Sequence, residues 1–129
     1  MTTDYRTTER RSGIRHSTDG LLADVRQRGR LARLTGMAVD FNRYGMALIA
    51  DQPLPQDCYV YINLVGYGRS LADLVGVVHN CTSTSTGFRC GIQFRPTSHL
   101  QDDANQAAQV LLDLEQTIKQ ELVALDSVI

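Results

Sequence analysis

An arginine-rich N-terminal region is the first part of this sequence that could do chemistry. Residues 1–33 contain eight arginines and no lysine, and Arg10, Arg11 and Arg15 lie close together in a polar stretch. Arginine presents a planar fork of donors that matches phosphate groups and the O6/N7 edge of guanine, and it stacks on flat rings. We therefore expect a small anionic ligand. The alternative is a solvated arm that neutralises the acidic C-terminal segment.

A second candidate lies at residues 40–45, Asp-Phe-Asn-Arg-Tyr-Gly, between two apolar runs. Asn, Asp and Gly favour bends because they tolerate unusual backbone angles and bond their own main chain. Asp40 and Asn42 could also read the polar edge of a flat ligand. Most such stretches are only turns. The arginines that precede this segment are what make it a candidate binding site.

Composition and charge restrict the class of protein. The chain has 129 residues and a formal net charge of -1 at pH 7, which suits one globular domain with its own core. A near-neutral total argues against non-specific nucleic-acid binding, which needs a large basic surface. No apolar run approaches the ~20 residues that span a bilayer, and the polar N-terminus is not a signal peptide. We therefore predict a cytoplasmic protein without a membrane span.

The cysteines and the other reactive side chains do not point to catalysis. Cys58, Cys81 and Cys90 are odd in number and lack Cys-x-x-Cys spacing, so neither a zinc site nor a disulfide framework is expected. Cys81 and Cys90 could face each other across a hairpin, although buried, reduced thiols are the simpler interpretation. The sequence contains no metal-ligand cluster and no recognisable nucleophile–base motif. We expect no enzyme and no cofactor.

Hydrophobic periodicity predicts six short strands separated by turns, which is typical of a small antiparallel β-barrel. The clearest alternation is at the last strand, where Phe88, Cys90, Ile92 and Phe94 alternate with polar residues and glycine. The predicted strands cover residues 21–27, 31–40, 46–50, 58–65, 71–81 and 88–95.

The two ends of the chain differ from this barrel. Residues 1–20 are polar and predict a flexible arm that only a ligand or docking would order. Apolar residues between Ala104 and Leu125 recur on one helical face, which predicts a C-terminal α-helix. That helix could close the barrel or pair with another copy, so a homodimer stays open. Residues 21–129 then form a single domain with the arm.

Three motifs in this order resemble the PilZ domain family, bacterial receptors of the second messenger cyclic di-GMP. The family pattern is Arg-x-x-x-Arg followed by (Asp/Asn)-x-Ser-x-x-Gly. Arg11 to Arg15 matches the first part, and residues 40–45 match the second except that Asn42 replaces Ser. Residues 88–94 resemble the closing strand, Arg-x-Gly-(Val/Ile)-x-Phe. The family fold, a six-stranded antiparallel barrel with a C-terminal helix, agrees with the periodicity.

The resemblance implies a role for each candidate residue. Two arginines would clamp phosphate and guanine edges with a third as auxiliary contact, the Asp and Asn would bond one guanine base, and the glycine would allow close approach of the backbone. The implied ligand-binding residues are Arg10, Arg11, Arg15, Asp40, Asn42 and Gly45. A second Arg-x-x-x-Arg begins at Arg6, but the Arg10-Arg11 doublet fits the family better.

The resulting hypothesis is a cyclic di-GMP receptor that orders its N-terminal arm on binding and signals to a protein partner. The alternative is a nucleotide-independent adaptor serving pili or motility, because some PilZ-like domains bind no nucleotide. A single-strand nucleic-acid-binding barrel is a third hypothesis. The low charge and low aromatic content disfavour it.

Overall fold

The computed structural model describes residues 14–95 and 101–128. For residues 101–104 and 125–128 it describes the backbone only. The described ranges contain seven strands and one helix. In chain order they are β1 (His16–Ser17), β2 (Leu22–Gln27), β3 (Arg33–Asn42), β4 (Gly45–Ala50), β5 (Tyr59–Gly66), β6 (Arg69–Thr84), β7 (Gly87–Phe94) and α1 (Gln101–Val128).

Six of the strands close into an antiparallel barrel in the order β3-β2-β5-β6-β7-β4, and β4 pairs back with β3. Strand β1 joins this barrel as a short addition, since it pairs with β3 at Phe41 and Asp40, beyond the end of β2. The predicted six-stranded barrel with a C-terminal helix is confirmed. Strand β1 was not predicted, and it lies within the segment that we assigned to the arm.

Alternation along the strands builds the core, because successive side chains of a strand point to opposite faces. Val60, Ile62 and Leu64 of β5 are buried, and so are the alternating residues of β7 from Cys90 to Phe94. The rings of Phe41 and Phe94, from the two strands that flank β4, pack together in this core at a tilt, with their centroids 5.6 Å apart. The period-two pattern in the sequence therefore did identify the inward faces.

The C-terminal helix packs against this core. Leu111, Leu114 and Ile118 are buried in the same apolar cluster as the barrel residues, at the three- and four-residue spacing of one helical face. Of the two alternatives that the sequence left open for this face, the barrel is the one that it packs against at these three residues. The ends of the predicted face, Ala104 and Leu125, lie outside the described side chains.

A β-bulge in β3 sets the direction of Asp40. Ala38 lies opposite Leu48 of β4, but the next pair is Asp40 opposite Ala47, so Val39 is an extra residue in the ladder. A bulge of one residue reverses which side chains face inward beyond it. Without it, Asp40 would share the inward face with Ala38, which is fully buried.

A glycine inside a strand often marks a bulge or a tight bend, but Gly36 of β3 does not. Gly36 lies in the regular ladder, opposite Ala23. Its place is explained by close packing instead, because a Cβ atom there would lie 2.6 Å from the carbonyl oxygen of Ile49 and 2.7 Å from the Leu48 side chain.

Candidate functional site

The carboxylate of Asp40 joins two arginines that are far apart in the sequence. Its Oδ1 atom accepts a hydrogen bond from Arg15 Nη1 at 3.3 Å, and its Oδ2 atom accepts one from Arg89 Nη2 at 2.7 Å. The Ala47 backbone N–H donates to Oδ1 at 3.0 Å and holds the carboxylate in place. Residues from the N-terminal segment, β3, β4 and β7 therefore meet at one point on the barrel wall.

These three charged side chains leave an excess of positive charge at the surface. Two guanidinium groups share one carboxylate, so the cluster carries two positive charges and one negative charge. The Arg15 and Asp40 side chains are 14% and 18% exposed, whereas that of Arg89 is 44% exposed. Partial burial reduces screening by water and strengthens charge-assisted bonds. The arrangement suits an anionic ligand that approaches from outside the barrel.

Asn42 shapes the turn between β3 and β4. Its Oδ1 atom accepts hydrogen bonds from the backbone N–H groups of Tyr44 at 2.8 Å and Gly45 at 3.1 Å. The residue is only 2% exposed. This is the local bond that makes Asn favourable in turns. The turn therefore depends on the side-chain oxygen of this residue.

Gly45 is required at the end of this turn because there is no room for a side chain. A Cβ atom would lie 2.5 Å from the carbonyl oxygen of Ile92 on β7 and 2.9 Å from Arg15 Nη2. Both distances are shorter than real Cβ contacts allow. The glycine thus lets Arg15 lie directly against the backbone beside Asp40.

The same turn is attached to the C-terminal helix through Arg43 and Glu115. Glu115 Oε1 accepts from the Arg43 backbone N–H at 2.7 Å and from Nε at 3.3 Å, and Oε2 accepts from Nη2 at 3.0 Å. Burial raises the pKa of Glu115, but the hydrogen bonds from Arg43 outweigh it and hold the pKa below its usual value, with a smaller contribution from His16. The helix is therefore bonded to the turn that carries Asn42.

The structure brings together four of the six residues that the sequence indicated. Arg15, Asp40, Asn42 and Gly45 lie at this turn or directly against it. The other two, Arg10 and Arg11, lie outside the described residues.

Two residues of the site were missed by sequence reasoning. Neither Arg89 nor Glu115 was among the candidate residues that the sequence indicated. The outward position of Arg89 in an alternating strand was the one available signal. The carboxylate that Arg89 contacts depends on which strands are neighbours in the barrel, and the local sequence does not show this.

Neither a metal site nor a spanning helix is found in the described residues. Among the side chains that the structure describes, those of residues 14–95 and 105–124, no three from His, Cys, Asp or Glu are grouped so that they could hold a metal ion. No helix in these ranges combines the length and the apolar character needed to cross a membrane.

No family model and no curated protein matches this sequence significantly. Comparison with solved structures gives a clear result. The PilZ domain of CeSA from a cellulose-synthesizing bacterium superimposes with a TM-score of 0.58 at 19% identity, covering 80% of this chain and 99% of that one. This chain has the PilZ fold.

Two structures of YcgR from Escherichia coli have the same PilZ fold. The PilZ domain of YcgR with c-di-GMP has a TM-score of 0.61 at 13% identity, covering 88% of this chain and 97% of that one. YcgR in complex with c-di-GMP has a TM-score of 0.64 at 15% identity, covering 90% of this chain and 50% of that one. At these identities the likeness to PilZ domains is one of architecture.

Proposed function

We propose that this protein is a receptor for cyclic di-GMP, which it binds without catalysis on the outer wall of the barrel around Asp40. One observation carries the proposal: Arg15 and Arg89 converge on the Asp40 carboxylate beside a turn that ends in a sterically required glycine. The ligand offers two phosphates and two guanines, which are the groups that such a cluster recognises. The likeness to YcgR structures with c-di-GMP supports it.

The roles of the three side chains follow from their hydrogen-bonding capacity. An ionised carboxylate has about four acceptor positions, and Asp40 already uses three of them for Arg15, Arg89 and the Ala47 N–H. A guanine edge presents two donors, N1–H and N2–H, so its binding requires an arginine to leave the carboxylate. In this mechanism Arg15 or Arg89 moves from Asp40 to a phosphate as the base takes its place.

The N-terminal segment completes the proposed site. We propose that Arg10 and Arg11 contact the ligand from the side opposite the barrel, and that binding orders the segment that carries them. Short tryptic digestion of the protein tests this, because trypsin cleaves after both arginines. Cyclic di-GMP should slow cleavage at these two positions and leave cleavage after Arg69, on the β5–β6 hairpin, unchanged. Equal cleavage rates at all positions with and without ligand would contradict the ordering.

We further propose that a protein partner with an apolar face docks beside the ligand. Val65, Leu22 and Met37 are direct cross-strand neighbours on the outer wall and are 56%, 46% and 46% exposed. Their row continues through Ile49 of β4, which lies opposite Met37 on one side and opposite Arg89 on the other. This row, Val65–Leu22–Met37–Ile49, thus ends at the proposed ligand site, so ligand and partner would lie side by side.

Titration calorimetry with cyclic di-GMP tests the receptor function. Arg15→Ala should lower the affinity about 10- to 100-fold, because it removes charge-assisted bonds. Arg33→Ala is the matched control: Arg33 lies on the same strand as Asp40, at its other end, and pairs with Asp24 at 3.6 Å on the surface. Absence of heat for the wild type at tens of micromolar ligand would exclude the function, and unchanged affinity in Arg15→Ala would exclude the site.

The nucleotide-independent adaptor is the second candidate function, and the exposed apolar row favours it independently of any ligand. Met37→Asp would disrupt this row while leaving Asp40 in place. An adaptor would lose its partner in this variant whether or not cyclic di-GMP is present. A receptor would also lose its partner in this variant. Unlike an adaptor, it would still bind cyclic di-GMP, with the affinity of the wild type.

A further inference from the structure

Two thiols meet across the β6–β7 hairpin. Cys81 of β6 lies directly opposite Cys90 of β7 in the antiparallel ladder. Their Sγ atoms are 2.8 Å apart. Both are free thiols, Cys90 fully buried and Cys81 half-buried. The ladder shifts register between Val78 and Asn80, immediately before Cys81.

We propose that Cys81 and Cys90 form a redox pair that closes reversibly to a cross-strand disulfide when a peroxide reaches Cys81. A disulfide bond measures about 2.05 Å, so the two sulfur atoms need to approach each other by less than 1 Å, about the size of a side-chain adjustment. The strands themselves are already paired at this position, and no rearrangement of the barrel is needed.

The order of steps follows from the exposure of the two thiols. Cys81 is the thiol that solvent reaches, so its thiolate attacks the peroxide, forms a sulfenic acid and releases hydroxide, which is protonated to water. The Cys90 sulfur then attacks the Cys81 sulfur, and the sulfenic oxygen leaves as water with the Cys90 proton. In total two thiols and one hydrogen peroxide give one disulfide and two waters. The two electrons pass from sulfur to the peroxide.

Cys90 is suited to the second step rather than the first. Burial raises the pKa of its thiol, and the contact with Cys81 raises that pKa further. A buried, protonated thiol reacts poorly with peroxide in solution but can resolve a sulfenic acid that is held against it. The third cysteine, Cys58, is half-buried and has a pKa that burial also raises. It serves as an internal control.

The mass of the intact chain tests the proposal. The reduced protein, treated with a small excess of hydrogen peroxide under non-reducing conditions, should lose about 2 Da, and dithiothreitol should restore this mass. Cys58→Ser should behave like the wild type, whereas Cys81→Ser and Cys90→Ser should not lose this mass. A stepwise gain of oxygen atoms without the loss would overturn the proposal.

Peptide mapping of the wild type locates the bond without depending on any variant. Trypsin cleaves after Arg89, between the two cysteines, and Pro96 protects the bond after Arg95. Peptides 70–89 and 90–119 should therefore run as one species after oxidation and separate on reduction. A bond that involves Cys58, or one that joins two chains, would overturn the assignment.

Discussion

Arg89 Nη2 lies 2.7 Å from Asp40 Oδ2, although the two residues are 49 positions apart in the chain. The contact arises because β4 pairs with β3 on one side and with β7 on the other, so Asp40 and Arg89 both lie next to β4. Arg89 is the more exposed of the two arginines that contact Asp40. It is therefore the one that a ligand can reach first.

Replacing Arg89 should weaken ligand binding with little effect on stability. Arg89→Ala should lower the affinity for cyclic di-GMP about 10-fold, the value of one charge-assisted bond. The side chain is 44% exposed, so the midpoint of thermal unfolding should stay close to that of the wild type. Calorimetry and thermal unfolding on the same preparation measure both. If Arg89→Ala binds cyclic di-GMP with the affinity of the wild type, Arg89 does not take part in binding.

The turn at Asn42 should tolerate serine better than alanine. Asn42→Ser keeps an oxygen acceptor that can serve the same N–H groups, so binding should be kept. Asn42→Ala leaves the buried N–H of Gly45 without this acceptor, which should cost about 1–3 kcal/mol of unfolding free energy. Urea denaturation of both variants gives the comparison. If serine and alanine destabilise equally, the side-chain oxygen does not hold the turn.

A methyl group at position 45 should affect stability and binding together. Gly45→Ala would force the Cβ atom against Ile92 and Arg15, at a cost of about 1–3 kcal/mol. Because Arg15 must move, the affinity for cyclic di-GMP should fall as well. Gly29→Ala is the control: Gly29 has a φ of 84° but open space around its Cα. It should lose stability through backbone strain yet bind the ligand normally, and a normal affinity in Gly45→Ala would contradict the close packing.

Protonation of Glu115 should loosen the helix from the turn. The pKa of Glu115 is held below its ordinary value of 4.5 in the folded protein. Its contribution to stability is therefore present above the unfolded pKa and is lost as the pH falls through the folded pKa. Glu115→Gln should lower the unfolding midpoint by roughly 2–4 °C at pH 7, and the difference from the wild type should vanish in strong acid. Thermal unfolding across this pH range measures it; a difference that does not change with pH would show that the charge is irrelevant.

Much of this molecule could be predicted from short-range patterns. Period-two alternation located all six barrel strands, and helical periodicity located α1 and its buried face. A turn within residues 40–45 was foreseen because Asx residues and glycine act on their own backbone, although it occupies only Arg43 and Tyr44. These features depend on neighbours within a few residues, so the local sequence carries them.

The site itself was only half foreseen. The pairing of Arg15 with Asp40 agrees with the motif, but the partners Arg89 and Glu115 were not identified. Nothing near Asp40 in the sequence indicates that Arg89 will face it. The bulge at Val39 was also missed, because the residues around it read as an ordinary apolar strand.

The sequence by itself determined the six barrel strands, the helix, and the place where a polar turn interrupts the barrel, because these follow from the burial preference of nearby side chains. It did not indicate the short strand β1. Only the tertiary structure decided that Asp40 points outward, that Arg15 and Arg89 share its carboxylate, and that Cys81 lies against Cys90. The physical reason is that strand register and barrel closure bring distant residues together, and register is set by the packing of the whole core.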